Sequence, residues 1–241
     1  MADVRVTPPA SARRFGVEDE GYMCLELEDG SAFQGYSFGA PKTIAGELVF
    51  QTGMVGYTES ITDPSYRGQI LVLTFPEAGN YGVPSREAFD ELLGDVPAYI
   101  ESSHIHVAGL VTASYSGEDY SHFLAQSSLG TWLKQEGIPA IYGVDTRALT
   151  KRIRTKGSLL GKLRSQKKDA VNGTTGGAFS TLSLDSFEEI EWKKPQEHNL
   201  VAEGTSSHPS YLPLLFFFLL FLRTLEPELT LRSVHQGPQT L

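Results

Sequence analysis

Apolar and polar residues alternate from Met23 to Glu28, with Met23, Leu25 and Leu27 on one face and Cys24 on the other. That period of two predicts a half-buried strand. Asp29-Gly30 is a two-residue hairpin signal, and Ser31–Gly35 returns as the partner strand. Leu48–Phe50, Ile70–Phe75 and Ile105–Thr112 are short apolar runs that read as buried strands. Arg86–Leu93 is compatible with one short helical stretch. Ser127 or Ser128 caps a helix running to about Glu136. Its apolar face is Leu129, Trp132 and Leu133, and Gly137 and Pro139 stop it. Ile141–Val144 predicts a strand. Asp145 or Thr146 then caps a second helix that buries Leu149 and Ile153, keeps Lys151, Arg152 and Arg154 outside, and stops at Gly157. Leu159–Leu163 is a final strand. The pattern predicts a β-rich α/β domain with two short helices packed on one side.

The densest stretch is Glu47–Pro84. Its two strand-like runs are separated and followed by Gly53, Gly56, Pro64, Gly68, Gly79, Gly82 and Pro84. Glycine permits positive φ or the close approach of another backbone. On residue chemistry alone two readings are open: tight turns between core strands, or a surface shaped for a partner.

The words QTGMVGY, TDPSY, GQILVLT and GNYGVP in this stretch resemble the amino-terminal domain of the small subunit of glutamine-hydrolysing carbamoyl-phosphate synthetase. The similarity continues through ESSHIHVAGLV, SLGTWLKQEGIPAIYGVDTRALTKRIR and KGSLLGKL. It covers Tyr22–Leu163, weakens afterwards and ends near Glu203. It is strongest to the form fused into the eukaryotic multifunctional pyrimidine proteins. The resemblance implies a swivelling β/β/α fold. It also implies a role in making carbamoyl phosphate from glutamine, bicarbonate and two ATP, the first step of pyrimidine synthesis. The arginine-pathway small subunit is the alternative within the family. A stand-alone, non-catalytic interaction domain is the alternative of another class.

The family's glutaminase uses a Cys-His-Glu triad on a separate domain, and its synthetase handles ATP, magnesium and bicarbonate. Neither pattern is found in this chain, which therefore is expected to hold no cofactor and to be inactive by itself. The resemblance implies that Ser65, in the TDPSY word, contacts bound L-glutamine across a domain interface. The chemistry is suitable, because a hydroxyl on a turn begun by Asp63-Pro64 can donate or accept a hydrogen bond. On chemistry alone, a turn serine bonded to its own backbone is the simpler reading. Gln51, Glu59 and Asp63 are polar neighbours that can support the contact or simply be turn and strand-face polarity. Met54, Tyr57, Tyr66 and Tyr81 are candidate anchors for the glutaminase and synthetase domains, or equally core residues. His104 and His106 share a strand face, but zinc needs three or four ligands and no third is signalled nearby. Cys24 sits in a strand with no activating base and reads as structural.

The 241 residues carry a net charge of −9, which disfavours a nucleic-acid surface. One cysteine precludes an internal disulfide framework and points to a reducing compartment, so a cytoplasmic location is expected. Residues 1–21 lack an apolar signal core and are expected to be a disordered leader. Residues 22–164 are the expected family domain, and residues 165–203 read as a linker toward a glutaminase domain absent from the chain. Residues 204–241 lose the family pattern and are expected to be a non-family tail, for example intron read-through. Within that tail Leu214–Leu222 is nine apolar residues. A membrane span needs about 20, so no membrane association is expected.

Overall fold

The first hairpin forms as the alternation requires. Strand β1 (Tyr22–Leu27) pairs antiparallel with β2 (Ala32–Ser37), and Gly30 takes φ 81° in the connecting turn. The computed structural model describes residues 21–85, 87–90, 97–167 and 184–194. The remaining strands of the main sheet are β3 (Ile44–Gln51), β4 (Ile70–Leu73), β6 (Gly109–Thr112), β8 (Ala140–Tyr142) and β9 (Leu160–Ser165). Their order is β1-β2-β8-β6-β4-β3-β9, closed into a barrel because β9 pairs with both β3 and β1. The β3-β4-β6-β8 run is parallel and the other pairings are antiparallel. Strands β5 (Val83–Pro84) and β7 (Ala125–Ser127) form a separate small sheet.

Alternation sorts the side chains of each strand between two cores. Met23, Leu25 and Leu27 join Leu48, Ile70, Val72, Val111 and Ile141 in one cluster. In β4 the intervening Leu71 and Leu73 belong instead to a second cluster, with Tyr57, Ile61, Leu110, Trp132 and Leu133. Covering both faces explains why β4 reads as an unbroken apolar run.

Helix α2 (Leu129–Gln135) starts at Ser128, whose hydroxyl accepts from the Thr131 N–H. Helix α3 (Thr146–Lys156) starts at Asp145, whose carboxylate accepts from Ala148, and ends at Gly157. Both match the sequence reading. A third helix, α1 (Tyr57–Thr62), was not anticipated, so the described residues contain three α-helices rather than two. The expected Ile105–Thr112 strand shortens to β6. Its first residues turn their N–H groups elsewhere, His106 to the Ile61 carbonyl and Ala108 to that of Gln69. Of the stretch Arg86–Leu93, residues 87–90 are not helical, and Phe89 forms an isolated bridge to Pro97. The rest of that stretch lies outside the described residues.

The expected linker differs too. Ser165 is the last residue of β9, and Leu184–Trp192 lies back against the barrel with Phe187 fully buried. Residues 1–20 of the leader, residues 168–183 and 195–203 of the expected linker, and the tail with its Leu214–Leu222 run lie outside the described residues. Among the described residues no helix is long and apolar enough to cross a membrane.

Candidate functional site

Ser65 stands on a 3₁₀ turn, Pro64–Tyr66, directly after α1. Proline suits the first position because its fixed φ matches the turn and its missing N–H is not needed there. Asp63 caps the turn, its Oδ1 accepting from the Ser65 N–H at 2.8 Å. The next donors are used locally: Tyr66 bonds back to the Asp63 carbonyl and Arg67 to that of Pro64. The far side is tied to the body of the domain, with Gly68 donating to the His106 carbonyl and Arg67 Nη1 lying 3.3 Å from His106 Nδ1. Only the Ser65 backbone serves this turn. The side chain is exposed, and its hydroxyl is engaged by no described residue. The turn is built as the local-chemistry reading supposes, yet it leaves the hydroxyl available.

The second component is the loop between β3 and α1. Residues Thr52–Val55 are exposed, with Met54 at 68 % and Val55 at 74 % of their free area. Phe75 is 37 % exposed, and Gly53, Met54, Val55 and Phe75 border a hollow with Gln51, Tyr57, Pro76 and Glu77. The hollow has about 20 Å³ of free space, a single water's worth and too little for an amino acid. Gln51 Oε1 is buried and has no hydrogen-bond partner among the described residues.

The loop is not loose. Gly56 adopts the left-handed conformation (φ 83°) at the start of α1, with no side-chain cap of its own. The Tyr81 hydroxyl supplies the missing acceptor, taking the Gly56 N–H at 2.8 Å and the Tyr57 N–H at 2.9 Å. Tyr81 stacks on Tyr57 at 4.1 Å between centroids, and the Tyr57 hydroxyl donates to the Gly82 carbonyl at 2.6 Å. Burial pushes both phenols above their ordinary range, so both stay protonated at neutral pH.

The four anchor candidates therefore separate. Met54 faces solvent, Tyr66 is half-buried against the core, and Tyr81 is half-buried as the support of the loop. Tyr57 is 6 % exposed and packs in the core. Val55 and Phe75 belong to the exposed patch and were missed. Val55 adjoins Met54 in a glycine-bracketed loop, which was the available signal. Gly56, Gly79 and Gly82 all take positive φ, so backbone conformation accounts for them before close approach does. Glu59 accepts from Thr58 Oγ1 within α1.

Other candidates resolve as structural. Cys24 is fully buried in β1, and burial raises its thiol to about 12 against the opposing charge of Arg164. The His104 and His106 rings lie 4.3 Å apart, and no group of three metal-binding side chains exists among the described residues.

The model of the carbamoyl-phosphate synthase small chain, CPSase domain, matches residues 25–163, more than half of the chain. The chain belongs to this family. Among curated proteins the chain is 68 % identical over 202 residues to the multifunctional protein pyr-3 of Neurospora crassa, covering 83 % of this chain and 11 % of that protein. It is 62 % identical over 205 residues to the multifunctional protein pyrABCN of Emericella nidulans, covering 85 % of this chain and 9 % of that one. It is also 45 % identical over 189 residues to the arginine-specific carbamoyl phosphate synthase small chain of Saccharomyces cerevisiae, covering 78 % and 41 %. The chain thus spans about a tenth of the length of the fungal multifunctional proteins it matches.

Proposed function

We propose that this domain serves a glutamine-dependent carbamoyl-phosphate synthase acting in pyrimidine synthesis, supplying a scaffold, an interface and one glutamine contact. The observation that carries the reading is Ser65, exposed on a turn fixed at both ends with its hydroxyl unspent. In this reading Ser65 completes a glutamine site whose other walls belong to a glutaminase module. The Met54–Val55–Phe75 patch is the surface that meets a glutaminase or synthetase module. A well-anchored apolar knob loses little conformational freedom on docking, which favours such a role. ATP, magnesium and bicarbonate belong to the synthetase module, and the location is cytoplasmic. The closed seven-stranded barrel with its flanking helices suits the swivelling β/β/α class.

The higher identity to the multifunctional fungal proteins than to the arginine-specific small chain favours the pyrimidine pathway. The test is a chimera in which residues 22–194 replace the matching segment of the Neurospora protein. Ser65→Ala is expected to raise the KM for glutamine about tenfold, the worth of one hydrogen bond to a charged head group. Synthesis driven by added ammonia is the control. An unchanged glutamine KM in the alanine variant overturns the Ser65 assignment.

A further inference from the structure

The segment Leu184–Trp192 is bound to the outer face of the barrel by an arrangement centred on Arg164. Arg164 lies on β9 with its side chain 4 % exposed. Its Nε donates to the Glu188 carbonyl at 2.7 Å, and Nη2 reaches the Leu184 and Phe187 carbonyls at 3.2 Å and Glu189 Oε2 at 2.8 Å. Nη1 turns the other way, to Glu26 Oε2 on β1 at 2.7 Å. One guanidinium thus holds a barrel strand and the returning chain together. Lys162, two residues earlier and on the same face, has its ammonium 4.4 Å from the Trp192 ring centre and 3.6 Å from Glu189. Backbone bonds extend the attachment, from Glu188 to Ser165 and from Lys167 to Ser186. Phe187 fills the space over Cys24 and Ala32.

A buried guanidinium is costly unless its donors are satisfied. Here three of the acceptors are carbonyls of the returning segment, so the strand and the segment are specified together. The described part of the segment is consequently held to the barrel as far as Trp192.

We propose that Arg164 is a positioning residue: through this strap it fixes where and in which direction the chain leaves the barrel, and so sets Ser65 against the module that follows in the longer family members. The second half of this inference rests on the proposed glutamine role. The first half does not.

Two measurements separate them. In the 241-residue chain Cys24 is the sole cysteine and lies beneath Phe187, so its reaction with a thiol-disulfide reagent reports undocking. Arg164→Met is expected to speed labelling at least about tenfold, with Arg164→Lys between the two, while a cooperative thermal transition is retained. Phe187→Asp undocks the strap without touching β9 and guards against a folding defect in the first variant. Labelling as slow as wild type in all three overturns the strap. In the Neurospora chimera, Arg164→Met and Phe187→Asp are both expected to raise glutamine KM about tenfold or more, with ammonia-driven kcat unchanged and partial recovery in Arg164→Lys. Fast labelling with an unaltered glutamine KM overturns the positioning role, while an effect of Ser65→Ala in the same chimera leaves the glutamine reading standing. If Ser65→Ala is also silent, the glutamine reading fails and the positioning role falls with it.

Discussion

Tyr81→Phe tests whether a side chain 25 residues away serves as the cap of α1. The change keeps the ring and its stacking on Tyr57 and removes one oxygen. That oxygen is the acceptor for the Gly56 and Tyr57 N–H groups. Leaving a buried donor without a partner costs roughly 1–3 kcal/mol, and losing a helix cap costs about 1 kcal/mol. Gly56 is half-buried, so water recovers part of its loss, while Tyr57 is inside. A net loss of about 2 kcal/mol is expected. With a urea dependence of roughly 2 kcal/mol per molar for a domain of this size, the midpoint falls by about 1 M. The assay is equilibrium unfolding followed by tryptophan fluorescence, to which Trp132 contributes from the same core. Tyr57→Phe is the comparison. It removes one bond, to the Gly82 carbonyl, and is expected to cost about half as much. A Tyr81→Phe unfolding free energy within about 0.5 kcal/mol of wild type refutes the capping argument, because substitutions without a structural role fall in that range.

Gly161→Ala places a methyl group against the Leu48 and Leu25 side chains inside the barrel, and is expected to cost about 1–3 kcal/mol or more in the same urea assay. Asp29 gives an acid dependence. Burial alone raises its carboxyl, but hydrogen bonds from Lys156 and Ser31 and the Lys156 charge outweigh that and hold it well below the usual range. A depressed folded-state value means that the contribution is present above the unfolded value of about 4 and is lost as pH falls through it toward the folded value. Asp29→Asn is therefore less stable than wild type at pH 7, and the gap narrows steadily below about pH 4 in urea midpoints taken across that range.

What was legible in the sequence was local. The β1–β2 hairpin follows from alternation and Asp29-Gly30. Helices α2 and α3 follow from Ser128 and Asp145, each capping an N–H three residues ahead. Helix α1 escaped because it has six residues and no cap in its own sequence, the missing acceptor arriving from Tyr81. Closure of the barrel escaped for the same reason on a larger scale, since nothing near Leu160–Ser165 reveals that it pairs on both sides. Ser65 itself came from resemblance, and the structure adds how its turn leaves the hydroxyl free. Phe187 was hidden in a mixed-charge segment, and its carbonyl is bonded to Arg164, more than twenty positions earlier.

Barrel closure also bears on synthesis. Strand β1 is among the first described residues to be made, yet Met23 pairs with Ser165. At roughly 5–20 residues per second, the interval between them is on the order of ten seconds. During that time β1 and β3 have no β9 between them, and their open edges can pair with other chains. Long-range closure of this kind is also intrinsically slow. A chaperone that shields strand edges on the nascent chain would therefore act most effectively before Ser165 emerges.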